Sequence, residues 1–186
     1  MAKKLIPLPM AVWLIVFVAP LLHAGGTFTS PQVSESSPGP FGILRLQEKK
    51  EAPPFCLKTL NGGNVSLSDY KGKLVLLAFW ATWCPSCVEE LPLLEKFTAQ
   101  NKEHLTVLAL AIDGEKEKRI RRIVNENQIT LPVLLDVKEK IARTYGVKFV
   151  PAAFLINREG LIVGKIIGER DWTLAEAWPS IKEVLW

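Results

Sequence analysis

Cys84 and Cys87 stand with two residues between them in the run Phe79-Trp80-Ala81-Thr82-Trp83-Cys84-Pro85-Ser86-Cys87, where an apolar stretch gives way to a helical one. At that spacing two sulfurs meet across one turn, so the pair can pass between dithiol and disulfide with little backbone movement. The competing use of Cys-x-x-Cys is half of a zinc site, which needs four Cys or His ligands. The other candidates are Cys56, His104 and His23, and they form no second pair. Thiol-disulfide exchange is the expectation, with no metal and no organic cofactor required.

The flanking residues set the roles of the two sulfurs. Lys73 to Trp80 is mostly apolar and predicts a strand, and from Pro85 onward apolar residues recur at Val88, Leu91 and Leu94, as on a helix. Cys84 then stands at the helix amino end, where free N–H groups and the positive end of the helix dipole favour a thiolate. Pro85 fits the first helical turn because its missing donor is not needed there. Cys84 is the expected nucleophile. Cys87, one turn deeper, is the expected resolving cysteine.

Several elements must hold that pair. Phe55 to Thr59 and Asn64 to Leu67, around Asn61-Gly62-Gly63, read as a hairpin. Leu74 to Trp80 and Leu105 to Ile112 read as buried strands, with a helix from Pro85 to Gln100 between them. A charged helix from Glu115 to Asn127, a strand at Val133 to Leu135 and a helix from Val137 to Tyr145 follow. Strands at Ala152 to Ile156 and Leu161 to Ile167 flank the turn Asn157-Arg158-Glu159-Gly160, and a last helix is expected from Trp172 to Leu185. This order predicts an α/β domain with a mixed sheet.

The chain of 186 residues has room for one such domain and a leader. Met1-Ala2-Lys3-Lys4 precedes an apolar stretch from Met10 to Ala19, then Pro20 and Leu22-His23-Ala24. This layout predicts a signal peptide over 1–24, or else an uncleaved membrane anchor, and an exported domain either way. Without those residues the chain carries 21 basic and 19 acidic side chains, a net charge of +2 that does not suggest nucleic acid. Residues 25–50 read as a flexible linker, rich in Gly, Ser, Thr and Pro as far as Pro40. Phe41 to Lys50 are ambiguous and open to being the start of the domain, which is otherwise expected over 51–186.

Further motifs carry a family resemblance: Ala52-Pro53-Pro54-Phe55 at the entry, Leu67-Ser68-Asp69-Tyr70-Lys71-Gly72-Lys73 before the first core strand, Glu90-Leu91-Pro92, and Tyr145-Gly146-Val147 leading to Val150-Pro151. With the Cys-x-x-Cys run they make residues 52–186 resemble the exported TlpA/ResA group of thioredoxin-fold proteins. The resemblance implies a thioredoxin fold, with a mixed central sheet flanked by helices, an N-terminal β-hairpin extension and a central strand-helix insertion. It also implies that Pro151 follows a cis bond and faces the cysteines, although only about 5% of X-Pro bonds are cis and the residues alone predict trans. Val150 would then pair through its backbone with an extended client segment, and Trp83 would shield the nucleophile and touch clients.

Glu90, three residues after Cys87 and on nearly the same helix face, is implied to assist cysteine ionisation and proton transfer. Ordinary thioredoxins carry a buried acid six residues before the first cysteine, where this chain has Ala78. The resemblance further implies a bacterial extracytoplasmic setting such as the periplasm. Electrons would arrive from a membrane thiol transporter. Disulfide-containing clients such as apocytochrome c or a copper-site protein would receive them.

Rival readings are a disulfide oxidase or isomerase, a thiol peroxidase and a copper-binding module. The Pro85-Ser86 dipeptide does not separate reductant from oxidase. A peroxidatic cysteine is preceded by Thr at three positions and Pro at seven, whereas Cys84 has Ala81 and Leu77 there. Copper carriers of the Sco type place three residues between their cysteines and use a downstream histidine, and His104 is the one histidine beyond residue 24. Cys56 reads as a small buried thiol, with a regulatory or intermolecular disulfide as the alternative. Trp80 reads as core, Pro92 as a helix kink, and Glu115 to Arg122 as a solvated helix face.

Overall fold

The computed structural model describes residues 38–186. The expected leader over 1–24, and residues 25–37 of the expected linker, lie outside the described residues. Six strands form one sheet in the order β1-β8-β7-β4-β5-β6. At its centre β4 (Val75–Trp80) runs parallel to β5 (Thr106–Ala111) and antiparallel to β7 (Ala152–Ile156). These three strands are almost wholly buried, which is why they read in the sequence as continuous apolar runs. The remaining strands of the sheet are β6 (Val133–Leu135), β8 (Leu161–Ile167) and β1 (Ile43–Glu51).

The thioredoxin fold expected from the resemblance is present, with α1 (Pro85–Asn101), α2 (Glu117–Glu126), α3 (Lys140–Thr144) and α4 (Ala177–Leu185). The expected hairpin is also present as β2 (Cys56–Lys58) and β3 (Asn64–Ser66), a separate two-stranded sheet. It meets the main sheet through a Thr59–Leu134 bridge and a bond from the Leu60 N–H to the Val133 carbonyl, 2.8 Å. The Arg121 guanidinium of α2 adds a 2.7 Å bond to the Leu60 carbonyl. Ile120, Ile123 and Val124 turn the apolar face of α2 inward, and Arg121 and Glu117 pair at 2.9 Å on its charged face.

Four expectations are corrected. The domain takes in residues before 51, because β1 pairs antiparallel with β8 and so takes residues 43–50 out of the expected linker. The last helix begins at Ala177 rather than Trp172, because Asp171 accepts bonds from the Thr173 N–H (2.9 Å) and Oγ1 (2.5 Å) and forms a turn there instead. The helix expected over 137–145 is regular only from Lys140, since Lys138 and Glu139 have φ of 59° and 56°. The buried Asp136 carboxylate caps it by accepting the Ile141 and Ala142 N–H groups at 2.9 and 2.8 Å. Cys56 is exposed on β2 rather than buried. The helix α1 continues through Pro92 to Asn101.

Aromatic side chains fill two parts of the core. Phe79 on β4 meets Tyr145 and Phe154, with centroids 5.5 and 5.7 Å away. The Tyr145 hydroxyl escapes an unsatisfied burial by donating to the Pro53 carbonyl at 2.8 Å, and desolvation raises its pKa. In the second cluster Trp172 lies against Phe41 and Phe97, both at 5.3 Å.

Candidate active site

Strand β4 ends at Trp80 and α1 begins at Pro85, so the turn between them delivers Cys84 to the helix N-cap. Cys84 and Cys87 form a disulfide across the first turn, with Cα atoms 5.3 Å apart. The Cys87 N–H donates to Cys84 Sγ at 3.2 Å, the place an N-cap side chain takes. Ser86 Oγ lies 3.5 Å from the same sulfur. Cys87 is 1% exposed and Cys84 is 6%, so the outer sulfur is the one nearer to solvent. In the reduced protein those first-turn donors favour a thiolate on Cys84.

The turn is pinned from beside it. Asp113, just past the end of β5, accepts the Thr82 Oγ1 hydroxyl at 2.6 Å and the Thr82 N–H at 3.2 Å. Both residues are buried. The sequence reading did not single out this pair. The available signal was an acidic residue directly after a buried strand that runs parallel to the cysteine-bearing one.

The Val150–Pro151 peptide is cis, as the resemblance implied and against the trans form expected from the residues alone. The Val150 carbonyl oxygen is 3.7 Å from Cys84 Sγ, so this loop faces the outer sulfur. Pro151 is buried, and Val150 is half-buried. Trp83, next to the outer cysteine, is 53% exposed, and Phe149, two residues before Pro151, is 73% exposed. Trp80 is core, as expected. Phe149 went unnoticed in the sequence because a lone aromatic in a loop shows no periodicity.

Glu90 lies largely buried in the second turn of α1. Its Oε1 accepts the Arg170 N–H at 3.1 Å and the Trp172 Nε1–H at 2.5 Å. It lines a cavity of about 20 Å³ together with Cys87, Pro151 and Trp172. Burial pushes its pKa up to about 7, and the bonds from Trp172 and Arg170 hold back part of that rise. An acid poised near neutrality beside a buried thiol is suited to exchanging a proton with it. The structure therefore brings Cys84, Cys87, Glu90 and Pro151 together, with Val150 and Trp83 at the rim. Among the described residues no three His, Cys, Asp or Glu side chains gather as a metal site requires.

A central strand feeding a Cys-x-x-Cys helix, with a cis proline opposite, is the working arrangement of the thioredoxin fold, and enzymes built on it are thiol-disulfide oxidoreductases. By sequence the chain belongs to the AhpC/TSA family, which matches residues 49–165. It is 39% identical over 127 residues to the thiol-disulfide oxidoreductase ResA of Bacillus thuringiensis, covering 68% of this chain and 73% of that one. Among solved structures, it superposes on StoA from Bacillus subtilis with a TM-score of 0.59 at 27% identity, covering 69% of this chain and 97% of the other. The exposed lipoprotein thioredoxin Etrx1 from Streptococcus pneumoniae gives a TM-score of 0.62 at 32% identity, covering 70% and 99%.

Proposed function

We propose that this thiol-disulfide oxidoreductase works as a reductant outside the cytoplasm, with Cys84 as nucleophile and Cys87 as resolving thiol. The Cys84 thiolate attacks one sulfur of a client disulfide, forming a mixed disulfide and releasing the other client sulfur, which takes up a proton. Cys87 gives its proton to the Glu90 carboxylate and attacks Cys84 Sγ. The bond between Cys84 and the client breaks, and the client's second sulfur leaves and is protonated. The client gains two electrons and two protons, and the enzyme is left with the Cys84–Cys87 disulfide. A membrane thiol transporter returns the dithiol.

The observation that carries this reading is the stacking of Cys84, Cys87 and Glu90 along one helix: an outer sulfur at the N-cap, an inner sulfur behind it, and an acid of pKa about 7 lining the cavity that the inner sulfur shares. Trp83, Val150 and Pro151 form the client-contacting rim, with the Val150 backbone available to an extended segment in the manner of strand addition. Clients with apposed cysteines, such as apocytochrome c or a copper-site protein, fit this chemistry. The apolar leader over residues 1–24 supports export, by cleavage or as an anchor.

The deciding experiment is the reduction potential of the Cys84–Cys87 couple, equilibrated with dithiothreitol or glutathione in a Cys56→Ala background. A value near thioredoxin's, about −270 mV, is expected of a reductant. A value near about −120 mV overturns the direction and makes the protein a disulfide donor.

A further inference from the structure

Two donors from a distant part of the chain fix Glu90. The Arg170 N–H and the Trp172 indole N–H come from the turn after β8, and both bond to Oε1. A carboxyl gripped twice on one oxygen is set in direction, and Oε2 is the oxygen these two bonds do not occupy.

The donors are braced in turn by the segment that enters the domain. Trp172 is 2% exposed, with Phe41 on one side and Phe97 of α1 on the other. The Arg170 guanidinium donates through Nε to the Phe41 carbonyl at 3.2 Å, and through its second terminal nitrogen to the Ile167 carbonyl at 3.2 Å. Phe41 has φ 58° and Gly42 has φ 67°, consecutive left-handed residues that reverse the chain just before β1. Phe41 is buried even so. A non-glycine side chain in that conformation needs surrounding contacts to hold it, and here those contacts are Trp172 and Arg170.

We propose that Trp172 is a positioning residue for Glu90, and that the entering segment Gly39–Gly42 is a strap that seats Trp172 and so keeps the carboxyl in register with Cys87. This rests on the reading of Glu90 as the group that takes the Cys87 proton. The charged and titratable groups around Glu90 are Cys87 and Glu89 on α1, and Glu169, Arg170 and Asp171 on the turn. Strands β4, β7 and β8 present Ala78, Ala153 and Ile166 to the shared cavity, none of which titrates. The last residue of the strap, Gly42, lies directly before β1.

The test is the pH profile of client-disulfide reduction by the full chain, with thermal stability followed alongside. Trp172→Phe keeps an aromatic ring between Phe41 and Phe97 but removes the N–H. A bond to the charged carboxylate lowers its pKa, so losing the bond moves the Glu90-dependent limb of the profile upward, by about half to one pH unit. Phe41→Leu changes no atom of Glu90, Arg170 or Trp172 themselves, but it loosens the seat of Trp172 and so moves the limb the same way by a smaller amount. Should Trp172→Phe fail to fold, Phe41→Leu carries the test. A limb that stays at its wild-type position in the folded variants, while Glu90→Gln abolishes it, overturns the strap and leaves Glu90 as the proton acceptor. A limb unchanged in Glu90→Gln overturns both.

Discussion

Asp113 holds Thr82 by two of its groups, accepting the hydroxyl at 2.6 Å and the backbone N–H at 3.2 Å, and thereby fixes the turn two residues before Cys84. The Asp113 side chain is only 6% exposed, with Lys116 Nζ at 3.8 Å as its cationic neighbour. Replacing Asp113 with Ala leaves a buried N–H and a buried hydroxyl without partners. That costs about 2–3 kcal/mol of stability, read by urea denaturation of the oxidised protein. Thr82→Val removes the hydroxyl alone and costs about 1 kcal/mol. Equal losses in the two variants would rule out the backbone bond as the larger contribution.

Cys87→Ser is expected to leave the first step intact and block the second. Incubation with a disulfide client then accumulates a mixed disulfide at Cys84, detected by mass and reversed by dithiothreitol. Cys84→Ser accumulates none. A mixed disulfide of equal yield on Cys87 in that variant would reverse the assigned roles.

Glu90 makes stability depend on pH. Its pKa of about 7 in the folded protein lies above the ordinary 4.5, so between those values the folded state binds more protons than the unfolded one. Stability is then fullest below about pH 4.5 and falls as pH rises through 7, by an amount on the order of 3 kcal/mol. Glu90→Gln removes this slope. Denaturation of the oxidised protein between pH 5 and 8 measures it, and parallel curves for the two proteins would show that Glu90 titrates normally.

Trp83, next to the outer cysteine in sequence, and Phe149, two residues before the cis proline, are large and exposed. Truncating an aromatic anchor at a contact surface costs about 1–2 kcal/mol of binding. Trp83→Ala and Phe149→Ala are therefore expected to raise KM for a protein disulfide several-fold with kcat little changed. Reduction of a small aromatic disulfide serves as the control for chemistry. A matching loss on the small disulfide would place these rings in the reaction rather than in docking.

Strands β6 and β7 have the bounds their apolar runs imply, because a strand buried along its whole length cannot tolerate polar residues and its ends show as a change in composition. The edge strand β1 was harder to see. Only Ile43 of its nine residues is buried, and its pairing rests on backbone bonds that composition does not encode. Trp172 misled for a different reason. It extends the apolar spacing of the last helix one turn too far, yet its ring packs with Phe41 and Phe97 and its N–H serves Glu90. Pro179 carried the corrective signal, since proline fits the first turn of a helix starting at Ala177 and is costly in the middle of one starting at Trp172, a cost that α1 bears at Pro92. Both cysteines and Pro151 were legible from local sequence and motif order. The partners of Glu90, some 80 residues away, were not.

The two ends of the sheet have a bearing on how this enzyme survives its clients. A sheet's outermost strand offers bare backbone to any extended chain that drifts past. On one side β1 runs out through Glu48, Lys49, Lys50 and Glu51, all exposed and charged. On the other, β6 is three residues long and is partly covered by the Thr59 bridge and the Leu60 bond. Neither side is a good template for a foreign strand. A protein whose work brings it repeatedly against other polypeptides is thereby guarded from co-aggregating with them.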